Sequence, residues 1–209
     1  IMTATPIPRT LAMTAYGDLD SSIINELPKG RGTIETVVVS EEKREDVILR
    51  VIDEIKKKRQ IYWVCPLIEE SEELNFEAAE TTYKNLKSKL RNRSIGLVHG
   101  KLDSKKKTKA MLDFKDGKQD LLVATTVIEV GVDVANASIM VIENSERLGL
   151  SQLHQLRGRV GRGAHKSICI LIYKKPLSSM AKMRLSAIRE SNDGFYISEK
   201  DLELRGPGE

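Results

Sequence analysis

Cysteine is scarce: only Cys65 and Cys169 occur in 209 residues. They lie far apart in apolar runs, YWVCPLI and SICILIY, which excludes a disulfide framework or a cysteine-based zinc knuckle and points to reduced core thiols in a cytoplasmic setting. Aromatic residues make up 4% of the chain, against 31% charged and 40% hydrophobic residues. That balance is apolar enough to bury a core and too salted for a membrane-embedded chain. No apolar run approaches the length of a bilayer span, and no basic-then-apolar leader opens the sequence. The three histidines have no cysteine or carboxylate at ligand spacing, so no metal site is expected. Also missing is the G-x-x-x-x-G-K-[ST] loop that cradles nucleotide phosphates, and the Asp53-Glu54 pair falls inside a helical pattern, away from any strand end where it could hold Mg2+. The chain is therefore expected not to bind and split ATP by itself. Its opening Ile1-Met2 reads as a piece of a longer protein.

What is present alternates. Short Val/Ile-rich runs recur at 36–39, 61–65, 95–99, 121–125, 139–143 and 168–173. Helical patterns separate them, among them Val47, Ile48, Val51, Ile52 and Ile55 ahead of a basic Lys56-Lys57-Lys58-Arg59 end, and the segments 72–91, 104–115 and 150–160. Continuous apolar strands alternating with helices predict an α/β fold, a parallel sheet with helices on both faces. Two regions fall outside the alternation. Residues 1–28 read as the end of a preceding domain plus a linker, and residues 176–209 read as a helical hairpin appended to the 29–175 domain.

Net charge is only +4, but its placement is one-sided. Between Arg147 and Arg189 no acidic residue interrupts ten basic ones, and between Lys84 and Lys109 only Asp103 faces another ten. Such stretches suit a polyanion, although a solvated face has the same composition. Within the first stretch, QLHQLRGRVGRG read as a helix puts Gln155, Arg159 and Arg162 on one face and Leu153, Leu156 and Val160 on another. The planar guanidinium fork matches phosphate oxygens, whereas a solvated helix end is the plainer reading. Thr125, Thr126, Glu129, Gly131 and Asp133 follow the strand 121–125, where doubly wound sheets bind ligands, and Thr126 with Glu129 is equally a capping box. His99-Gly100, then Lys101, end another strand in the same plane.

Taken in order, Met2-Thr3-Ala4-Thr5-Pro6, the Thr125–Val134 run and Gln155-Leu156-Arg157-Gly158-Arg159-Val160-Gly161-Arg162 resemble motifs III, V and VI of the superfamily 2 helicases. AYGDLD, CPLIEES and NDGF look most like the bacterial branch that remodels stalled replication forks and Holliday junctions, and the resemblance spans essentially the whole chain. The transcription-repair coupling translocases, which share QLHQLRGRVGR, are the nearest alternative, and a non-catalytic DNA-binding module is the alternative of another class. The resemblance implies a RecA-like helicase C-terminal domain that works with ATP and Mg2+ bound on a first motor domain, itself preceded by a wedge domain. It implies that Arg159, Arg162 and Gln155 reach the γ-phosphate, with Gly131 and Asp133 near the ribose. Thr3, Ala4 and Thr5 would couple nucleotide state to movement, and Thr125, His99 and Gly100 would contact the DNA backbone. Lys182, Arg184, Arg189 and Arg205 would lie in a translocation hairpin and its following loop. The implied partner is double-stranded and branched DNA, for a monomeric cytoplasmic protein without membrane contact.

Overall fold

A computed structural model describes residues 32–67, 72–125, 134–163 and 166–205, with side chains of the second helix described from Phe76 onward. Six strands form one sheet: β1 (Ile34–Ser40), β2 (Gln60–Cys65), β3 (Ile95–Val98), β4 (Leu121–Thr125), β5 (Ala137–Ile142) and β6 (Ser167–Tyr173), in the order β1-β6-β5-β2-β4-β3. Every pairing is parallel, so the expected α/β class and all six expected strands are present.

The helices are α1 (Arg44–Lys56), α2 (Glu72–Lys89), α3 (Ser104–Lys115), α4 (Leu150–Arg157), α5 (Ser179–Glu190) and α6 (Gly194–Arg205). Local chemistry starts several of them. The Asp103 carboxylate accepts from the Lys106 amide at 2.8 Å, the Ser178 hydroxyl from the Ala181 amide at 3.1 Å, and the Asp193 carboxylate from the Phe195 amide at 2.9 Å.

Period-two alternation divides the strand side chains between two cores. On one face Ile61, Trp63, Leu121, Val123, Ile139 and Val141 pack under α1 and α2; on the other Tyr62, Val64, Leu122, Ala124, Met140 and Ile142 pack under α3, α4 and the hairpin. Leu185, Ala187, Ile188 and Ile197 bring the α5–α6 hairpin into that second core, so it is packed onto the sheet as firmly as the crossover helices. Both cysteines are free and buried. Glu54, one of the acidic pair set aside as a Mg2+ site, is 1% exposed at the end of α1, where Lys57 and Arg59 hold it at 2.8 and 2.6 Å.

Because all strands are parallel, the sheet has two distinct ends. Ser40, Cys65, Val98, Thr125, Ile142 and Tyr173 mark the carboxyl end; Ile34, Gln60, Ile95, Leu121, Ala137 and Ser167 mark the amino end. Helices α4 and α5 run from the carboxyl end to the amino end, and α6 returns. This polarity sorts the functional candidates.

Candidate functional site

The basic segment that follows β5 first crosses the carboxyl end. Ser145 donates its hydroxyl to the Ile172 carbonyl at 3.0 Å, and Arg184 Nη2 donates to the Glu146 carbonyl at 2.7 Å, which fixes the single turn Ser145–Arg147 against β6 and α5. Helix α4 then begins at Gly149, whose amide donates to Gln152 Oε1 at 2.9 Å.

The helix ends at Arg157, earlier than the pattern predicts. Gly158 caps it, and Gly161 turns the chain with φ of +84°, so Arg159 and Arg162 stand on a loop beyond the helix and share no helical face with Gln155. The turn needs glycine for two reasons. A positive φ strains any L side chain, and a Cβ at 161 would lie 2.9 Å from Ile34 Cγ1. Gly163 abuts the Ala135 carbonyl just ahead of β5, where no Cβ fits. Arg162 is exposed and Arg159 half-buried, and the loop that carries them is tied to the amino end of the sheet.

The middle arginine of QLRGRVGR behaves differently. Arg157 is 2% exposed, with no carboxylate among its hydrogen-bond partners in the described residues. Its Nη1 donates to the Ile188 carbonyl at 2.6 Å, the Ser191 carbonyl at 2.8 Å and Thr36 Oγ1 at 3.3 Å, while Nη2 lies 2.9 Å from His154 Nδ1. Burial pushes its pKa down from the usual arginine range. Sequence reasoning passed over this residue because its type and neighbours match those of Arg159; only the tertiary neighbourhood separates them. The other end of α4 is also held by the hairpin, since Asp201 accepts from the Ser151 hydroxyl at 3.0 Å and from Arg205 Nε at 3.1 Å. An eight-residue helix is thus fastened to the hairpin at both ends of its roughly 12 Å length.

Of the hairpin candidates, Arg184 and Arg205 are anchored by these bonds, whereas Lys182 and Arg189 lie exposed on α5. Arg189 precedes the turn near the amino end, and Arg205 sits beside Gly149 near the carboxyl end.

The carboxyl end holds the second group. Val98 pairs with Ala124, so the next residues, His99 and Thr125, are neighbours. Thr125 is 1% exposed and its hydroxyl has no partner among the described residues; His99 is 5% exposed and its Nδ1 is similarly unpaired. Phe76 stacks at a tilt against the imidazole with ring centroids 5.3 Å apart, and Lys107 Nζ donates to the Gly100 carbonyl at 2.8 Å. A Cβ at Gly100 would meet Phe76 at 2.9 Å. Two buried polar groups at a strand end with no partner among the described residues are costly unless some other group satisfies them.

The structure therefore does not bring all the predicted residues together. Gln155, Arg159 and Arg162 follow α4 toward the amino end, while Thr125, His99 and Gly100 stand at the carboxyl end. Thr3, Ala4, Thr5, Thr126, Glu129, Gly131 and Asp133 lie outside the described residues. Among the described residues no group of His, Cys, Asp or Glu could hold a metal ion, and no helix is long and apolar enough to cross a membrane.

Comparison with known proteins adds a frame to this geometry. The model of the helicase conserved C-terminal domain matches residues 43–164. Over the whole chain the sequence is 62% identical to the ATP-dependent DNA helicase RecG of Escherichia coli K12 and 52% identical to that of Bacillus subtilis 168, and it spans 30% of the length of each. The chain is also similar to a solved RecG bound to a three-way DNA junction, with a TM-score of 0.81 and 45% identity over 98% of this chain and 27% of that one. Saccharomyces cerevisiae Dbp5 bound to RNA and ADP BeF3 shares the fold alone, at 15% identity and a TM-score of 0.57 over 94% of this chain and 51% of that one.

Proposed function

The chain belongs to the helicase conserved C-terminal domain family, and from that premise we propose that it is the second motor lobe of a RecG-type, ATP-dependent translocase on double-stranded DNA that remodels stalled forks and Holliday junctions. In this reading residues 29–175 form the second RecA-like lobe, 176–209 the translocation hairpin, and 1–28 the end of the first lobe, whose Thr3, Ala4 and Thr5 couple nucleotide state to movement. The first lobe and a wedge domain belong to the same monomeric, cytoplasmic protein. The observation that carries the proposal is the polarity of the sheet: guanidinium groups at its amino end, buried polar groups without a partner among the described residues at its carboxyl end, and α4 fastened between them.

ATP bound on the first lobe is the substrate for the amino end. Arg159 and Arg162 stabilise the negative charge of the phosphates, Gln155 reads the same site, and Gly131 and Asp133 approach the ribose. A guanidinium pre-placed where charge develops lowers the barrier to phosphoryl transfer, and the same attraction draws the lobes together. The described residues do not fit Mg2+, so the ion is assigned to the first lobe and no step on this chain passes through it. At the carboxyl end Thr125, His99 and Gly100 hold the DNA backbone. Movement of the arginine loop reaches the hairpin through Arg157, which bonds directly to the carbonyls of Ile188 and Ser191. Lys182, Arg184, Arg189 and Arg205 pass that displacement to the duplex.

The test is DNA-stimulated ATP hydrolysis by the full-length protein on a forked duplex. Replacing Arg162 with alanine is expected to lower turnover by about a thousandfold or more while leaving nucleotide-free DNA affinity intact. Turnover within a few-fold of the parent would remove Arg162 from phosphate contact.

A further inference from the structure

We propose that Asn192 is a positioning residue that ties the turn of the hairpin to Ile34, the residue at which the chain enters the sheet, so that the hairpin follows lobe closure through β1 as well as through Arg157. This role rests on the two-lobe reading above, in which the residues ahead of β1 lead from the first lobe, and it adds the contact through which their displacement reaches the hairpin.

β1 lies at the edge of the sheet, paired with β6 among the described residues. Their parallel ladder runs from Ile34 opposite Ser167 to Ser40 opposite Tyr173, so the strand cannot slide without breaking it along its whole length. Just ahead of the ladder, Gly32 and Thr33 are exposed, and a Cβ at Gly32 would meet no atom within 4 Å among the described residues. Loosely packed chain therefore gives way to a fixed strand at Ile34, and a pull arriving from the first lobe is first resisted there.

Several groups converge on that point. Asn192 Nδ2 donates to the Ile34 carbonyl at 3.1 Å. Gly161 of the arginine loop stands so close that a Cβ there would lie 2.9 Å from Ile34 Cγ1. Further along β1, Thr36 Oγ1 accepts from Arg157 Nη1 at 3.3 Å, and the same nitrogen donates to the Ser191 carbonyl at 2.8 Å. Ile34 and Thr36 are both buried, on the same face of the strand. The start of β1 is thus bonded to successive residues of the α5–α6 turn, to Asn192 directly and to Ser191 through Arg157, and it packs against the loop that carries Arg159 and Arg162.

Among these contacts, that of Asn192 can be removed with least damage elsewhere. Arg157 is buried and serves several acceptors, and Gly161 has a backbone that strains any side chain, whereas Asn192 is exposed. The turn has its own support: the Asp193 carboxylate accepts from the Phe195 amide, the Asp193 amide donates to Ser191 Oγ at 3.0 Å, and Leu185, Ile188 and Ile197 hold the hairpin in the core. Asn192 is therefore not needed to form the hairpin; its amide sets where the turn sits against the strand start.

The experiment measures forks unwound per ATP hydrolysed by the full-length protein on a forked duplex, at saturating ATP and DNA. Asn192→Asp keeps the shape but turns an oxygen toward the Ile34 carbonyl, and Asn192→Gln keeps an amide donor on a longer arm. Asn192→Asp is expected to hydrolyse ATP within about twofold of the natural protein while forks unwound per ATP fall by about twofold to tenfold, the range for one ordinary hydrogen bond. Asn192→Gln is expected to recover part of that loss. If turnover and unwinding change in proportion, or neither changes, the ratio is unmoved and the positioning role is overturned, while the two-lobe reading stands on the natural protein's activity. An equal fall in both variants assigns the loss to the shape of the turn and likewise overturns the role of the amide. If the natural protein unwinds no fork with ATP, the two-lobe reading falls, and the role of Asn192 falls with it.

Discussion

Arg157 places a guanidinium deep in the protein, bonded among the described residues to carbonyl oxygens, a hydroxyl and an imidazole nitrogen and to no carboxylate. A buried cation without a counter-ion persists only when its fork of donors is well satisfied, and the same bonds satisfy the carbonyls ending α5. Truncating it to alanine leaves the Ile188 and Ser191 carbonyls buried without donors and opens a void under the hairpin. The expected cost is about 2–5 kcal/mol, read as a fall in Tm of about 5–15 °C. Lysine is expected to rescue little, since one ammonium cannot span the same acceptors. A Tm within a degree of the parent would show that these carbonyls are satisfied without Arg157. At this scale the sequence was only partly legible. Arginine chemistry in QLRGRVGR was evident, but whether a given arginine faces phosphate or carbonyl depends on where α5 ends, and α5 lies 31 residues further along the chain from Arg157 to Ile188.

At the scale of elements, strands and crossover helices were legible because a continuous apolar run and a 3.6-residue period each report directly how much surface an element must bury. The span 104–115 is reproduced as α3, and 150–160 is shortened to Leu150–Arg157. That shortening has a tertiary cause: the loop after α4 must bend against Ile34, and Gly161 alone meets the required φ of +84°. Read locally, Val160 continues a helical face and conceals the turn. Gly161→Ala is expected to cost about 1–3 kcal/mol through left-handed strain and contact with Ile34, measured as a lower midpoint in urea with unchanged m. Because the loop carries Arg159 and Arg162, DNA-stimulated ATP turnover of the full-length variant is expected to fall as well. Retained stability and turnover together would mean that the loop tolerates another backbone path.

The whole molecule is organised by the polarity of a parallel sheet, which a one-dimensional reading could imply for Thr125 and His99 but could not extend to arginines on a loop. The five residues of β4 span about 16 Å, which sets the scale of separation between groups at the two ends. Sites that far apart, without shared partners, should act on different constants. Thr125→Val removes a buried hydroxyl with little change of shape, and the loss of one hydrogen bond to a charged phosphate corresponds to a roughly tenfold to hundredfold rise in the DNA concentration that half-maximally stimulates hydrolysis. Maximal turnover at saturating DNA is expected to stay within about twofold, because the arginines are untouched. Arg162→Ala should show the opposite pattern, with maximal turnover collapsed and nucleotide-free DNA affinity retained. If either substitution moved both constants strongly, the two ends would not be separate sites, and the link through α4 would have to be rigid enough that damage at one end deforms the other.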